Sequence, residues 1–233
     1  MRTSFWNRLF DLVAPRTCAI CDRRLSPNEE AICGRCHLHL PLTHFERSPY
    51  DNPMARLFWG LLPVERAAAL FYFEPRSELA RLIYQLKYNQ RPDIGITMGS
   101  VVARLFDGHD FFGGIEAIVP IPITRRRRWH RGYNQSEQIA RGISSVTGLP
   151  IYNKVVVRDH FTESQAHKTA LERRDNVATA FRLVDADRVR GRHLLLVDDI
   201  VTTGSTIIAC GREICKANDV RLSILSLGLT FNH

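Results

Sequence analysis

Leu194-Leu195-Leu196-Val197-Asp198-Asp199-Ile200-Val201-Thr202-Thr203-Gly204-Ser205-Thr206 reads as a strand, a turn and the start of a helix. The apolar run carries two adjacent acids to the carboxyl end of a buried strand, where open α/β sheets bind their ligands. There Asp198 and Asp199 can accept hydrogen bonds from both vicinal hydroxyls of a ribose, and their charge can stabilise cationic character at the anomeric carbon. Thr202, Thr203, Ser205 and Thr206 then supply hydroxyls and free backbone N–H groups at a helix N-terminus. Gly204 permits the tight turn that makes this a cradle for a 5′-phosphate. No Gly-Lys-Ser/Thr follows at the spacing of a triphosphate loop. Two acids beside a hydroxyl-rich anion nest match a phosphorylated ribose. A buried strand capped only by polar turn residues would need no such pair of acids.

Outward from this stretch, β-rich runs alternate with helical spacing. The strand candidates are Ala67 to Phe73, Ala117 to Ile121, Tyr152 to Val157, His193 to Val197 and Leu222 to Leu227. Ser77 to Tyr88, Ile94 to Phe106, Gln135 to Val146 and Ser205 to Ala217 are the helix candidates between them. This alternation predicts an α/β domain whose parallel sheet is flanked by helices on both faces. Composition shifts near Leu40 and again across Pro41 to Pro63, so the chain divides into an N-terminal helix and cysteine module at 1–45 and a main domain at 64–233.

Cys18 and Cys21 form one CxxC, Cys33 and Cys36 a second, with eleven residues between the pairs. Two such knuckles place four thiolates around one zinc and leave no open position, which makes the expected site structural. Disulfide pairing is the competing reading, and a reducing cytosol disfavours it. His37 and His39 are surplus to a complete sphere. Cys210 and Cys215, five apart on a predicted helix, read as core thiols.

At 233 residues the chain has room for one α/β domain and a small accessory module. Apolar residues make up 45% and charged residues 24%, the balance of an ordinary folded protein. A net charge of +8 and a pI near 9.5 favour phosphate-rich partners without naming one. Phe5, Leu9, Leu12 and Val13 form a helical stripe that reads as a packing or docking element or a membrane-surface helix. Charges interrupt it too often for a signal-peptide core. No stretch approaches the roughly 20 apolar residues of a membrane span, so a cytoplasmic setting is expected.

Leu194 to Thr206 resembles the PRPP-binding signature of type I phosphoribosyltransferases, and the wider pattern resembles the ComF family associated with DNA uptake. That pattern comprises the four cysteines, Leu86-Lys87-Tyr88, Pro120-Ile121-Pro122 and Arg131-Gly132-Tyr133-Asn134-Gln135, with Thr162, Gln165, Arg173, Asn176 and Phe181 downstream. The resemblance implies a type I phosphoribosyltransferase-like sheet behind a zinc module, with PRPP as ligand and magnesium accompanying it. It implies catalytic roles for Asp198 and Asp199, a task in DNA uptake or the use of imported DNA, and partners such as a DNA-uptake helicase and other competence proteins. The alternative is a non-catalytic adaptor for single-stranded DNA with a vestigial or sensory PRPP site.

After Pro122, the residues Arg125, Arg126, Arg127, Arg128, Trp129, His130 and Arg131 read as a cationic loop. In a type I arrangement this loop approaches the pyrophosphate end of PRPP, and Arg131 is the first choice for that contact. The remaining arginines exceed what one diphosphate needs. With Trp129 and Tyr133 to stack on unpaired bases, they make single-stranded DNA an expected second ligand, against the plain reading of a solvated charge run. Lys87 matches the family's lysine position and either adds a phosphate contact on this basic surface or snorkels. Arg158 to Arg174, with Thr162, Gln165, His167 and Lys168, suits a loop closing over a ligand. No segment identifies the acceptor.

Overall fold

The computed structural model describes residues 15–158 and 181–230. The stripe from Phe5 to Val13 lies outside the described residues, as does most of the expected closing loop, with Thr162, Gln165, His167, Lys168, Arg173 and Asn176.

Four parallel strands form the main sheet: β1 (Val64–Phe73), β2 (Ala117–Pro120), β5 (His193–Val201) and β6 (Arg221–Thr230), in the order β1-β6-β5-β2. β5 is central, hydrogen-bonded to β6 on one side and β2 on the other, and Leu194 to Val197 are fully buried. Continuous apolar runs are what a parallel sheet covered by helices demands. The helices are α1 (Gly34–Leu38), α2 (Pro53–Arg56), α3 (Leu79–Tyr88), α4 (Pro92–Asp107), α5 (Arg125–Arg131), α6 (Gln135–Thr147) and α7 (Ser205–Ile214). Among the described residues no helix is long and apolar enough to cross a membrane.

Two glycines set the α4–α6 crossing. A Cβ on Gly99 would lie 2.2 Å from the Ile139 carbonyl oxygen, and one on Gly142 would lie 2.1 Å from that of Ile96. Only glycine admits backbones this close. The packing fixes the start of α6, and with it the side chains that reach the acids of β5.

The sheet's edges are covered, which removes unpaired edge groups from solvent. Along β1, Leu42 bridges Phe71, and Thr43 N–H donates to the Leu70 carbonyl at 3.1 Å. The cysteine module thus leads straight onto the sheet, and Cys18, Ile20, Leu25 and Leu40 belong to the same apolar core as the strands. Beyond β2, Ile151 bridges Ile118.

Two expectations need correction. The run from Arg125 to Arg131 is a helix, not a loop: Thr124 caps it by accepting from Arg127 N–H, and Gly132, at φ +79°, ends it. Those cap residues outweigh the mutual repulsion of the arginines. Tyr152 to Val157 forms no strand of the parallel sheet, although Tyr152 N–H donates to the Ile118 carbonyl of β2 at 2.8 Å. Only β3 (Val156–Arg158) forms, pairing antiparallel with β4 (Phe181–Leu183) in a separate ribbon.

Candidate functional site

At the carboxyl end of β5 the backbone turns through residues 202–204 into α7. Asp198, Thr202, Gly204, Ser205 and Thr206 line one concave pocket there. Gly204 adopts φ +71°, and a Cβ on it would come within 2.8 Å of the Phe58 ring. Thr203 donates to Ser205 across the turn at 3.2 Å. Thr202, Thr203 and Ser205 remain exposed, while Gly204 is buried. Backbone N–H groups at the start of α7 receive no side-chain cap, which is the condition in which a helix N-terminus attracts an anion.

The two acids have different surroundings. Asp199 is buried and pairs with Lys87, whose Nζ lies 3.1 Å from its Oδ2. Asp198 accepts from Ser136 Oγ at 3.1 Å and from Asp199 N–H at 2.9 Å. Part of its side chain meets the cleft, yet protein atoms crowd it. This desolvation, then the Asp199 charge beside it, pushes its pKa up to about 7 against the pull of its hydrogen bonds and of Lys87. One acid pairs with a cation, and its neighbour's carboxyl is pushed up toward neutral pH.

Four segments converge here. β5 and the α7 turn carry the acids and hydroxyls, the last turn of α3 carries Lys87, and the first residues of α6 carry Ser136. Asn134 sets the last of these, accepting from Ser136 N–H at 3.1 Å while donating to the Ile121 carbonyl at 3.0 Å. Lys87, read from sequence as a residue of the basic surface, therefore lies with the acids. Arg131 donates to Gln135 at 2.8 Å and stacks over the Tyr88 ring at 5.3 Å. Arg125 to Arg128 and Trp129 project into solvent, Trp129 with 88% of its surface exposed. Tyr133 packs inward and donates to the Leu86 carbonyl at 2.5 Å, and burial raises its pKa to about 12.

Sequence reading missed Ser136, Glu137 and Arg158. Glu137 is buried and anchors Arg128 at 3.4 Å and Arg141 at 2.9 Å. Arg158 lies over the Phe181 ring at 5.0 Å. Burial and then the Arg127 charge lower its pKa, and Asp198 opposes them. Ser136 carries one legible signal, since it directly follows the Arg-Gly-Tyr-Asn-Gln block.

The cysteine cluster is a separate centre. Ligand atoms of Cys18, Cys21, Cys33 and Cys36 lie within 4.8 Å of one another, and Cys21 Sγ is 3.7 Å from Cys33 Sγ. A tetrahedron with metal–sulfur bonds of about 2.3 Å has an edge of about 3.8 Å, so the donors fit one four-coordinate ion. Burial pushes the Cys18 thiol upward, but N–H groups of Cys21, Cys33 and Ile20 outweigh it and hold its pKa at about 7. Burial and the neighbouring thiols raise Cys36 well above the usual thiol range.

Taken together, these elements define an α/β protein: a parallel sheet flanked by helices, with a four-cysteine cluster near the N-terminus. The DNA utilization protein YhgH of Escherichia coli (strain K12) is 31% identical over 196 residues, covering 82% of this chain and 80% of its own length. Its counterpart in Salmonella typhimurium is 30% identical over the same span. Competence protein F of Haemophilus influenzae is 40% identical over 93 residues, 40% of this chain and 41% of its own. The chain belongs to the ComF family, with the DNA utilization protein YhgH as a relative along most of its length. No family model matches. Among solved structures, the glutamine phosphoribosylpyrophosphate amidotransferase from B. subtilis matches with a TM-score of 0.41 and 16% identity, over 60% of this chain and 30% of that one. The adenine phosphoribosyltransferase from Leishmania tarentolae matches with a TM-score of 0.37 and 9% identity, over 77% and 88%.

Proposed function

We propose that this chain binds PRPP as a phosphoribosyltransferase-like protein and serves DNA uptake or the use of imported DNA. One observation carries the reading: β5 delivers Asp198 and Asp199 straight into the uncapped Gly204 turn at the start of α7. In it, Asp198 and Asp199 accept the ribose hydroxyls, the Thr202 to Thr206 turn holds the 5′-phosphate, and Ser136 and Lys87 orient the two carboxylates. Arg131 turns from Tyr88 and Gln135 toward the pyrophosphate end. The oxygen-rich donor set suits magnesium bound with PRPP.

The relatives named for DNA utilization and competence favour a task in DNA handling; in this reading the protein is cytoplasmic, with single-stranded DNA, a DNA-uptake helicase and other competence proteins as partners. Four thiolates at tetrahedral spacing favour zinc in a structural role. Residues 1–45 are then the zinc module and 64–233 the phosphoribosyltransferase-like domain.

A second reading, a single-stranded-DNA adaptor with a sensory or vestigial PRPP site, draws on the solvent-facing cations of α5 and on exposed Trp129. Calorimetry with PRPP and magnesium tests the first. Asp198→Asn with Asp199→Asn removes charge-assisted bonds and is expected to weaken binding roughly tenfold or more; an unchanged affinity would overturn the ribose assignment. Pyrophosphate release from bound PRPP separates the enzyme from the adaptor.

A further inference from the structure

On α3, the helix whose Lys87 pairs with Asp199, lies an aromatic pair that none of the roles above uses. Tyr84 and Tyr88, one helical turn apart, are 58% and 50% exposed, with ring centroids 5.1 Å apart and planes tilted at 45°. Such a pair supports its own helix only weakly, and tyrosine is enriched where a protein surface meets a partner. The Arg131 guanidinium lies 5.3 Å over Tyr88. Lys87, next to Tyr88 in the chain, holds Asp199 at 3.1 Å.

We propose that Tyr84, Tyr88 and Arg131 form a seat for one unpaired base of single-stranded DNA, next to the acid pair. A base presents a flat π-face that stacks on tyrosine without regard to sequence, and a guanidinium offers both a planar partner and a phosphate contact. The charge of the neighbouring element selects nucleic acid over protein: α5 has the sequence RRRRWHR and no acid. The seat rests on the single-stranded-DNA part of the function proposed above. It places a DNA base one residue from Lys87, so the strand reaches the mouth of the carboxylate site.

Fluorescence anisotropy with a labelled oligothymidylate of roughly 12 nucleotides tests it, compared with an abasic oligomer of equal length. The wild type is expected to prefer the base-bearing strand. Tyr84→Ala with Tyr88→Ala should weaken oligothymidylate binding about five- to a hundredfold. The salt dependence should stay unchanged, because no phosphate contact is removed. Tyr84→Phe with Tyr88→Phe keeps both rings and should bind like the wild type, which also controls for folding. Equal affinity in the alanine variant would overturn the seat, as would an equal loss for the abasic strand. Free thymidine monophosphate saturating the seat as tightly as the oligomer would overturn DNA as its ligand. A wild type that binds neither strand would overturn the DNA reading itself, a result distinct from failure of the seat.

Discussion

The two ends of β5 solve opposite problems. At its amino end His193, 1% exposed, sits 2.9 Å from Ser223 Oγ and 3.6 Å from Glu65, and Glu65 also pairs with Arg221 at 3.0 Å. Arg192 pairs with Glu116 at 2.9 Å. Charges of opposite sign alternate there, and each has an answer. At the carboxyl end two acids are adjacent in sequence, and Lys87 answers Asp199. Desolvation depresses His193 below its ordinary 6.5 and raises Asp198 to about 7, so both prefer the neutral form. Their linkage to folding has opposite sign. Below pH 6.5 the unfolded chain protonates its histidine more readily than the folded protein does, so His193 removes stability as the pH falls. Between the unfolded carboxyl pKa near 4 and the folded value near 7, the folded protein holds more protons at Asp198, so stability falls as the pH rises. Like charge retained against this cost supports the proposal that the carboxyl end binds the ligand while the amino end serves as framework.

Replacing Gly204 by Val should break the carboxyl end most completely. A β-branched residue at φ +71° is strained by roughly 1–3 kcal/mol, and its Cβ would meet the Phe58 ring at 2.8 Å. PRPP binding by calorimetry should be lost and the melting temperature should drop by several degrees. Retained binding would remove the turn from the ligand cradle.

The acid itself gives a smaller effect of opposite direction on stability. Asp198→Asn removes the group whose ionisation opposes folding. The variant should therefore be more stable than the wild type at pH 8, by about 1–3 kcal/mol after allowance for its partial contact with solvent. The gain should shrink as the pH falls toward 4, where the wild-type carboxyl is already neutral in both states. Denaturant titrations at several pH values measure this. A variant less stable than the wild type at pH 8 would show that the Ser136 bond outweighs the desolvation and like-charge cost.

This contrast also explains what could be read in advance. Strand, turn and helix start from Leu194 to Thr206 are contiguous, so the acids and the Gly204 turn were legible as one local pattern, as were the cysteine knuckles. Lys87 and Ser136 reach Asp199 and Asp198 from 112 and 62 positions away in the chain, and no local periodicity encodes that meeting. The α5 helix was hidden for a different reason: seven residues with five arginines look like a solvated run, although Thr124 before them and Gly132 after them are ordinary helix boundaries. Tyr152 to Val157 had strand composition but no partner predictable from sequence, and its pairing went to β4.

The smallest expected effect lies at the amino end, with Glu65→Gln. Glu65 is about a third exposed and its contacts to Arg221 and His193 are those of a partly solvated pair, so stability at pH 7.5 should fall by only about 0.5–1 kcal/mol. Its charge favours protonated His193 against desolvation. Without it the histidine pKa drops further, His193 stays neutral to lower pH, and the loss of stability below pH 6.5 extends further into acid. PRPP affinity should not change, because the substitution lies at the opposite end of the strand from the acids. Thermal melts between pH 5 and 8, together with calorimetry, check both halves. A changed PRPP affinity would mean that the two ends of β5 are coupled through the strand, and the division between framework and ligand site would fail.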